Sequence, residues 1–166
     1  MKKFLQFSGL IAAALALAAF IFLLAGNGLV YRSGDNASFV PGIRVLFGGE
    51  VKTILGTAKY SPSAPSLIAW ILVLLAMIAL IVISVLPLLK IKALDKFAGL
   101  ITLCAAGLLL VAGILLFFSK VGYSGANNGY FDDFHLTFAF VFAGILSIGG
   151  AVVAALPACM NLLGKK

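Results

Sequence analysis

Four long stretches of the sequence contain no ionisable side chain. Asp, Glu, Lys, Arg and His are all missing from residues about 4–25, 67–89, 97–118 and 136–158. Carriers and channels for protons or ions usually hold such a residue within the membrane, so this absence argues against ion coupling. Each stretch has the roughly 20 apolar residues that a helix needs to cross a bilayer core. The chain is therefore predicted to be an all-α integral membrane protein with four transmembrane helices.

Thiols are also scarce. The 2 cysteines are Cys104, inside the third predicted helix, and Cys159, near the end of the fourth. Neither lies in a predicted loop, where a structural disulfide would be expected. We interpret both as small residues that pack between helices.

The one histidine, His135, follows Asp132 and Asp133 directly before the fourth predicted helix. Carboxylates beside an imidazole can bind a divalent metal or move a proton, so these three residues are weak metal candidates. Alternatively, the acidic residues stabilise the positive N-terminus of the helix. We favour this alternative and predict a protein without an enzymatic activity or a cofactor.

Acidic residues are few, 5 against 12 basic ones, and the net charge of +7 is unevenly placed. The segments at one end of the predicted helices carry +6, and the loops at the other end carry +1. The strongly basic side contains Lys2, Lys3, Lys90, Lys92, Lys96, Lys165 and Lys166. Because cytoplasmic segments gather Lys and Arg, we predict a multi-pass protein of the cell membrane with both termini cytoplasmic. The expected partner of this charge is membrane lipid and not nucleic acid.

Two parts of the chain are similar to each other. Phe7-Ser8-Gly9-Leu10-Ile11 recurs as Phe97-Ala98-Gly99-Leu100-Ile101, and Leu86-Pro87 recurs as Leu156-Pro157. The order of these matches predicts a four-helix transmembrane bundle built from two tandem two-helix units. The first unit is 1–90, with helices at about 4–25 and 67–89 and an outer loop at 26–66. The second is 91–166, with helices at about 97–118 and 136–158 and an outer loop at 119–135.

The first outer loop holds about twenty residues without a counterpart in the second. Within them, two β-rich runs flank Gly48-Gly49, a pair that can adopt the positive φ angles of a tight hairpin turn. We predict a small β-hairpin at about 43–54 and assign it to interaction with a partner. The residues concerned are Arg44, Phe47, Gly48, Gly49, Glu50 and Lys52. The alternative is a lid that serves stability alone.

Small side chains recur at every fourth position of the last predicted helix. The series is Ala139, Ala143, Ser147, Ala151 and Ala155. Helices in lipid associate through such faces because the backbones can approach closely. The face is predicted to pack against another helix of the same bundle or against a second subunit.

In its predicted topology the chain resembles claudin-like tetraspan proteins. The shared features are both termini inside, a long first outer loop with β character, a short inner turn and a shorter second outer loop. The Trp, Gly-Leu-Trp and paired-Cys signature of their first loop is missing, so the resemblance concerns topology and transfers no residue role.

These features favour a non-enzymatic membrane protein that acts by assembly, as an accessory subunit of a membrane complex or as a self-associating scaffold. A homo-oligomer or a complex with other membrane-protein subunits is expected. The alternative is a small oligomeric transporter or pore for an apolar or uncharged solute. That alternative predicts a polar seam along Ser84, Thr102, Thr137 and Ser147.

Overall fold

The fold was obtained as a computed structural model that describes residues 2–33, 36–53, 56–87, 89, 97–127 and 134–163. The elements follow one another as α1 (Lys2–Ala25), β1 (Asn27–Ser33), β2 (Asn36–Pro41), α2 (Gly42–Phe47), β3 (Gly49–Thr53), β4 (Gly56–Tyr60), α3 (Ala64–Val85), α4 (Ala98–Phe117), α5 (Ser119–Ala126), β5 (Phe134–Leu136) and α6 (Phe138–Leu163).

The four long helices α1, α3, α4 and α6 are long and apolar enough to span a membrane. They are compatible with a multi-pass membrane protein, and the four predicted stretches are confirmed as helices. Helix α3 differs from the prediction at both of its ends. It begins earlier because Pro65 fits the first helical turn, and it ends before Pro87. By contrast, α6 continues past Pro157.

The long helices form a ring in which α1 packs against α3 and α6, and α4 packs against the same two helices. Small residues line the inside of this ring. The buried alanines are Ala12, Ala13, Ala16, Ala19, Ala69, Ala76, Ala105, Ala106, Ala112, Ala143, Ala151, Ala154 and Ala158. Since lipid gives helices no hydrophobic reason to associate, close backbone approach through small residues is the main source of their attraction.

The division into two equivalent units stays a prediction. The helices that it pairs, α1 with α4 and α3 with α6, lie at opposite corners of the ring, as a pseudo-twofold axis requires. The loop segments that it pairs have different structures. Tyr31 lies in strand β1, whereas Tyr123 lies in helix α5.

The five strands of the described residues lie at one end of the bundle, which we call the β-rich end. Strand β1 is the centre of an antiparallel sheet of order β2-β1-β5, in which Val30 opposes Phe39 on one side and His135 on the other. Strands β3 and β4 form a separate antiparallel pair. The sheet joins the loops that precede α3 and α6 into one unit.

The predicted hairpin at 43–54 is wrong in its position. Residues 43–47 lie in helix α2, and the hairpin is formed by β3 and β4. Val45 and Leu46 are both buried. Adjacent residues of a helix can both face the bundle, whereas adjacent residues of a surface strand point to opposite faces of the sheet. Gly48, at φ +73°, ends α2 by donating its N–H to the Arg44 carbonyl at 2.8 Å. The glycine pair therefore ends a helix instead of forming a hairpin turn.

Candidate functional site

The small-residue face of α6 points into the chain's own bundle. Ala143, Ser147 and Ala151 are buried, and Ala139 and Ala155 are half-buried. Ala139 packs so closely on α1 that a Cβ at Gly26 would overlap it. The neighbours of this face are thus the helices of the same molecule, and Ala143 and Ser147 are not accessible to a second subunit.

The four hydroxyls of the proposed polar seam do not form one path. Ser147 donates to the Ala143 carbonyl and Thr102 to the Ala98 carbonyl, each at 2.8 Å and each within its own helix. Thr137 donates to the carbonyls of Asn27 and Gly28 at the β-rich end. Ser84 is buried at the other end, where it packs directly on Gly9. Three of the four hydroxyls are therefore used by nearby backbone.

The candidate metal residues are only partly described. Asp132 and Asp133 lie outside the described residues. His135 is exposed in β5, opposite Val30. Within the described ranges, no group of three His, Cys, Asp or Glu side chains is close enough to hold a metal ion.

The residues predicted as one interaction hairpin are divided between two elements. Arg44 and Phe47 lie on α2, and Glu50 and Lys52 lie in β3, with Gly48 and Gly49 between them. Phe47 packs edge-on against Trp70 at 5.2 Å, and Trp70 stacks on Phe20 of α1 at 5.5 Å between ring centroids. The first part of the predicted element is thus attached to the bundle. In the second part, Glu50 is exposed and pairs with Lys59 of β4.

Two short helices at the β-rich end have one buried and one exposed face. On α2, Ile43 is 54% and Phe47 is 48% exposed, while Val45 and Leu46 are buried. On α5, Val121 is 63% exposed, while Ser119, Tyr123 and Ser124 are buried. Basic residues, Arg44 and Lys120, adjoin the exposed apolar ones. Exposed apolar side chains beside cations are typical of helices that lie in the membrane interface. Sequence reasoning did not identify α5.

Tyr123 is the buried centre of α5. Its ring packs edge-on against Phe134 of β5 at 5.7 Å. Burial raises the pKa of its hydroxyl above the usual value, the neighbouring Tyr60 raises the pKa further, and Arg44 partly lowers it. The hydroxyl is therefore neutral at physiological pH. α5 thus contacts both the sheet and the segment before α3.

Asn127 fastens the segment before α3 to α5. Its Oδ1 accepts from the Ser61 N–H at 2.7 Å, and its Nδ2 donates to the Ser61 carbonyl at 3.0 Å and to the Tyr123 carbonyl at 2.8 Å. Nearby, the Ser63 hydroxyl donates to the Ser119 carbonyl at 3.1 Å. These bonds hold the two loops in one fixed arrangement.

Replacing Asn127 with Ala is expected to free the segment around Ser61. A hydrogen bond contributes about 0.5–1.5 kcal/mol, so losing these three should speed exchange of the Ser61 amide by at least about tenfold. Hydrogen–deuterium exchange with mass spectrometry measures this. Ser61→Ala is the matched control because the bonds use only the Ser61 backbone. Equal exchange in Asn127→Ala and the wild type would show that the Asn127 side chain does not hold the segment around Ser61.

The outer edge of the three-stranded sheet is a second feature of this end that the sequence did not predict. Among the described residues, no strand pairs with the outer edge of β2. Ala37, Ser38 and Phe39 are exposed along it, with Phe39 at 61%. Unpaired strand edges present free N–H and C=O groups that can bind another strand. The β-rich end thus offers a surface for protein contact.

A second surface lies between α4 and α6, within the four-helix bundle. It is an apolar groove of about 350 Å³. Its lining consists of Leu103, Ala106, Gly107, Leu110, Ala151, Val152 and Ala155. The groove exists because Gly107 and the alanines leave the space between the helices unfilled, and a Cβ at Gly107 would meet nothing within 4 Å.

Two of the three glycines of α4, Gly107 and Gly113, should respond differently to alanine. A Cβ at Gly113 would come within 2.6 Å of Ile148 Cγ1 and 3.0 Å of the Gly144 carbonyl, so Gly113→Ala must separate α4 from α6. We expect it to destabilise the protein by about 1–3 kcal/mol. Gly107→Ala should be neutral or stabilising by up to about 1 kcal/mol, since alanine favours helix. Thermal unfolding of both variants in the same detergent measures the difference, and equal melting temperatures would contradict the packing described here.

No protein-family model matches this chain, and no curated protein matches it in sequence.

Proposed function

We propose that this protein acts by assembly in a membrane, without catalysis, as an accessory subunit of a larger complex or as a self-associating scaffold. The observation that carries the proposal is the β-rich end. There the outer edge of β2 is unpaired among the described residues, and Glu50 and Lys59 of the β3–β4 hairpin are exposed. A strand edge is a ready surface for another protein chain.

The interior of the bundle supports this proposal. Its buried residues are chiefly alanine and leucine, and three of the four hydroxyls of the proposed polar seam bond to backbone carbonyls. Such an interior favours a rigid support over a path for a polar solute. By the distribution of lysines in the sequence, the β-rich end is on the outside of the cell membrane and the termini are cytoplasmic.

A photoreactive amino acid placed at single positions in the native membrane tests the proposal. Phe39 and Thr57 are exposed positions of the β-rich end, and Leu100 is an exposed position on a membrane-spanning helix. We expect protein adducts at Phe39 or Thr57, and lipid adducts at Leu100. Mass spectrometry of the adduct distinguishes a second copy from another subunit. Lipid adducts alone at all three positions would refute assembly through this end.

The groove between α4 and α6 favours a second candidate function, a small oligomeric transporter or pore for an apolar or uncharged solute. Its lining is apolar, and it is partly open at the surface of the bundle. Gly107→Leu would fill the groove from a position with free space. If transport through this groove is the function, Gly107→Leu should cause the same cellular defect as loss of the whole protein, while the variant itself stays folded and assembled. An unchanged phenotype would leave assembly as the better account.

A further inference from the structure

The strand edges of the β-rich end differ in how well they are protected against pairing. Natural proteins protect free edges with charged side chains, very short strands or prolines. The β3 sequence contains Glu50 and Lys52, and β4 contains Lys59. Glu50 and Lys59 form an exposed ion pair at 3.1 Å across that hairpin. Strand β5 is only three residues long.

Strand β2 has none of these protections over most of its length. Its sequence, Asn36–Pro41, contains no charged residue, and the proline is the last residue of the strand. Ala37, Ser38 and Phe39 are exposed, although strand β1 covers the other edge throughout. The outer edge of β2 is therefore the edge best suited to another strand.

We propose that two copies of the chain join through their β2 strands, which pair edge to edge and antiparallel about Ser38. In this register Ser38 faces Ser38 of the other copy, and Ala37 faces Phe39. This inference rests on the proposed function, since it names the partner of the assembling end. The composite sheet has the order β5-β1-β2-β2-β1-β5, with a three-residue strand at each outer edge.

Three observations favour a second copy as the occupant. An edge without charge can meet its own copy without electrostatic repulsion. Ala37 and Ser38 at the centre have small side chains, so cross-strand neighbours of the joined sheet do not crowd one another. Copies inserted in one orientation carry β2 at the same height, and pairing about a twofold axis closes at two chains.

Disulfide formation in the intact membrane tests this pairing. Cys104 and Cys159, which are exposed and do not pack between helices as predicted, are first replaced by alanine. Ser38→Cys is then introduced into the full chain. Directly opposed residues of antiparallel strands have Cα atoms about 4.5–5.5 Å apart, within the range of a disulfide. On mild oxidation, most of the protein should migrate at twice the 17.3 kDa mass of one chain. Thr57→Cys, exposed on β4, is the matched control and should remain monomeric.

A mixed experiment tests the register. Ala37→Cys and Phe39→Cys chains, expressed together, should link to each other more than either links to itself. Ser38→Lys should dissociate the pair, because it brings two lysines face to face at the centre of the interface. Thr57→Lys should leave the pair intact.

The outcomes separate this inference from the proposed function. If Ser38→Cys does not link while the native protein still migrates as a larger assembly, the pairing is wrong and assembly stands. Equal linkage at Ser38 and Thr57 would indicate random collision and also overturn the pairing. If the adduct at β2 is a different protein, the occupant is another subunit's strand. If the native protein is a single chain, both proposals fail.

Discussion

Replacing Gly42 with alanine is expected to lower the melting temperature of the protein by roughly 10 °C. Gly42 begins α2, and its N–H donates to the Gly26 carbonyl at 2.8 Å. A Cβ at this position would overlap the Leu23 carbonyl oxygen and lie 2.8 Å from the Gly26 carbonyl oxygen. These are backbone atoms at the end of α1, so they cannot rotate away as a side chain would. A cost of about 3 kcal/mol corresponds to this shift in a chain of this size.

Gly125→Ala is the control for this substitution. Gly125 is exposed on α5, and a Cβ there would meet nothing within 4 Å. We expect its melting temperature to equal that of the wild type or exceed it slightly, because alanine favours helix. If Gly42→Ala melts like Gly125→Ala, α2 is not held against the end of α1. The placement of the whole β-rich end would then be in error.

Replacing Ala143 with leucine is expected to prevent stable folding of much of the protein. Ala143 is 0% exposed, and its carbonyl accepts the hydroxyl of Ser147 within the same face of α6. Three further carbon atoms at this position must separate α6 from its neighbours, at a cost of about 3 kcal/mol or more. The fraction of extracted protein that elutes as a single sharp peak, and the melting temperature of that peak, measure the effect.

The control adds bulk to the same helix where space is free. A Cβ at Gly149 would meet nothing within 4 Å, so Gly149→Leu should extract and elute like the wild type. One outcome for Ala143→Leu would contradict the internal packing of this face. If that variant folds normally and loses only a larger assembly, Ala143 contacts another subunit, and the internal packing of this face is wrong.

The long helices could be predicted because their cause is local. A run of about twenty residues without charge has no other stable form in lipid, and Pro65 and Pro87 lie where α3 begins and ends. The face of Ala139 to Ala155 was also visible from its four-residue spacing. The sequence did not distinguish an internal neighbour from a second subunit, because small residues pack in the same way in both.

The β-rich end could not be predicted because its causes are not local. Strand β1 has Leu29 and Val30 both buried, so it lacks the alternation that marks a half-exposed strand. Strand β5 is three residues long and depends on β1 for its pairing. The segment Ile43-Arg44-Val45-Leu46-Phe47 has the composition of a strand but forms a helix. There the Val45 carbonyl accepts the Ser63 N–H at 2.8 Å, and Phe47 packs on Trp70.

The mass of the intact particle, extracted from its native membrane in a mild detergent and measured by native mass spectrometry, tests most directly whether this protein acts by assembly. Action by assembly requires a mass above the 17.3 kDa of one chain. A multiple of that mass would show self-association, as a scaffold or as an oligomeric pore, and a mass that requires other subunits would identify an accessory component. A single chain of 17.3 kDa, in a detergent that preserves known complexes of the same membrane, would contradict the account.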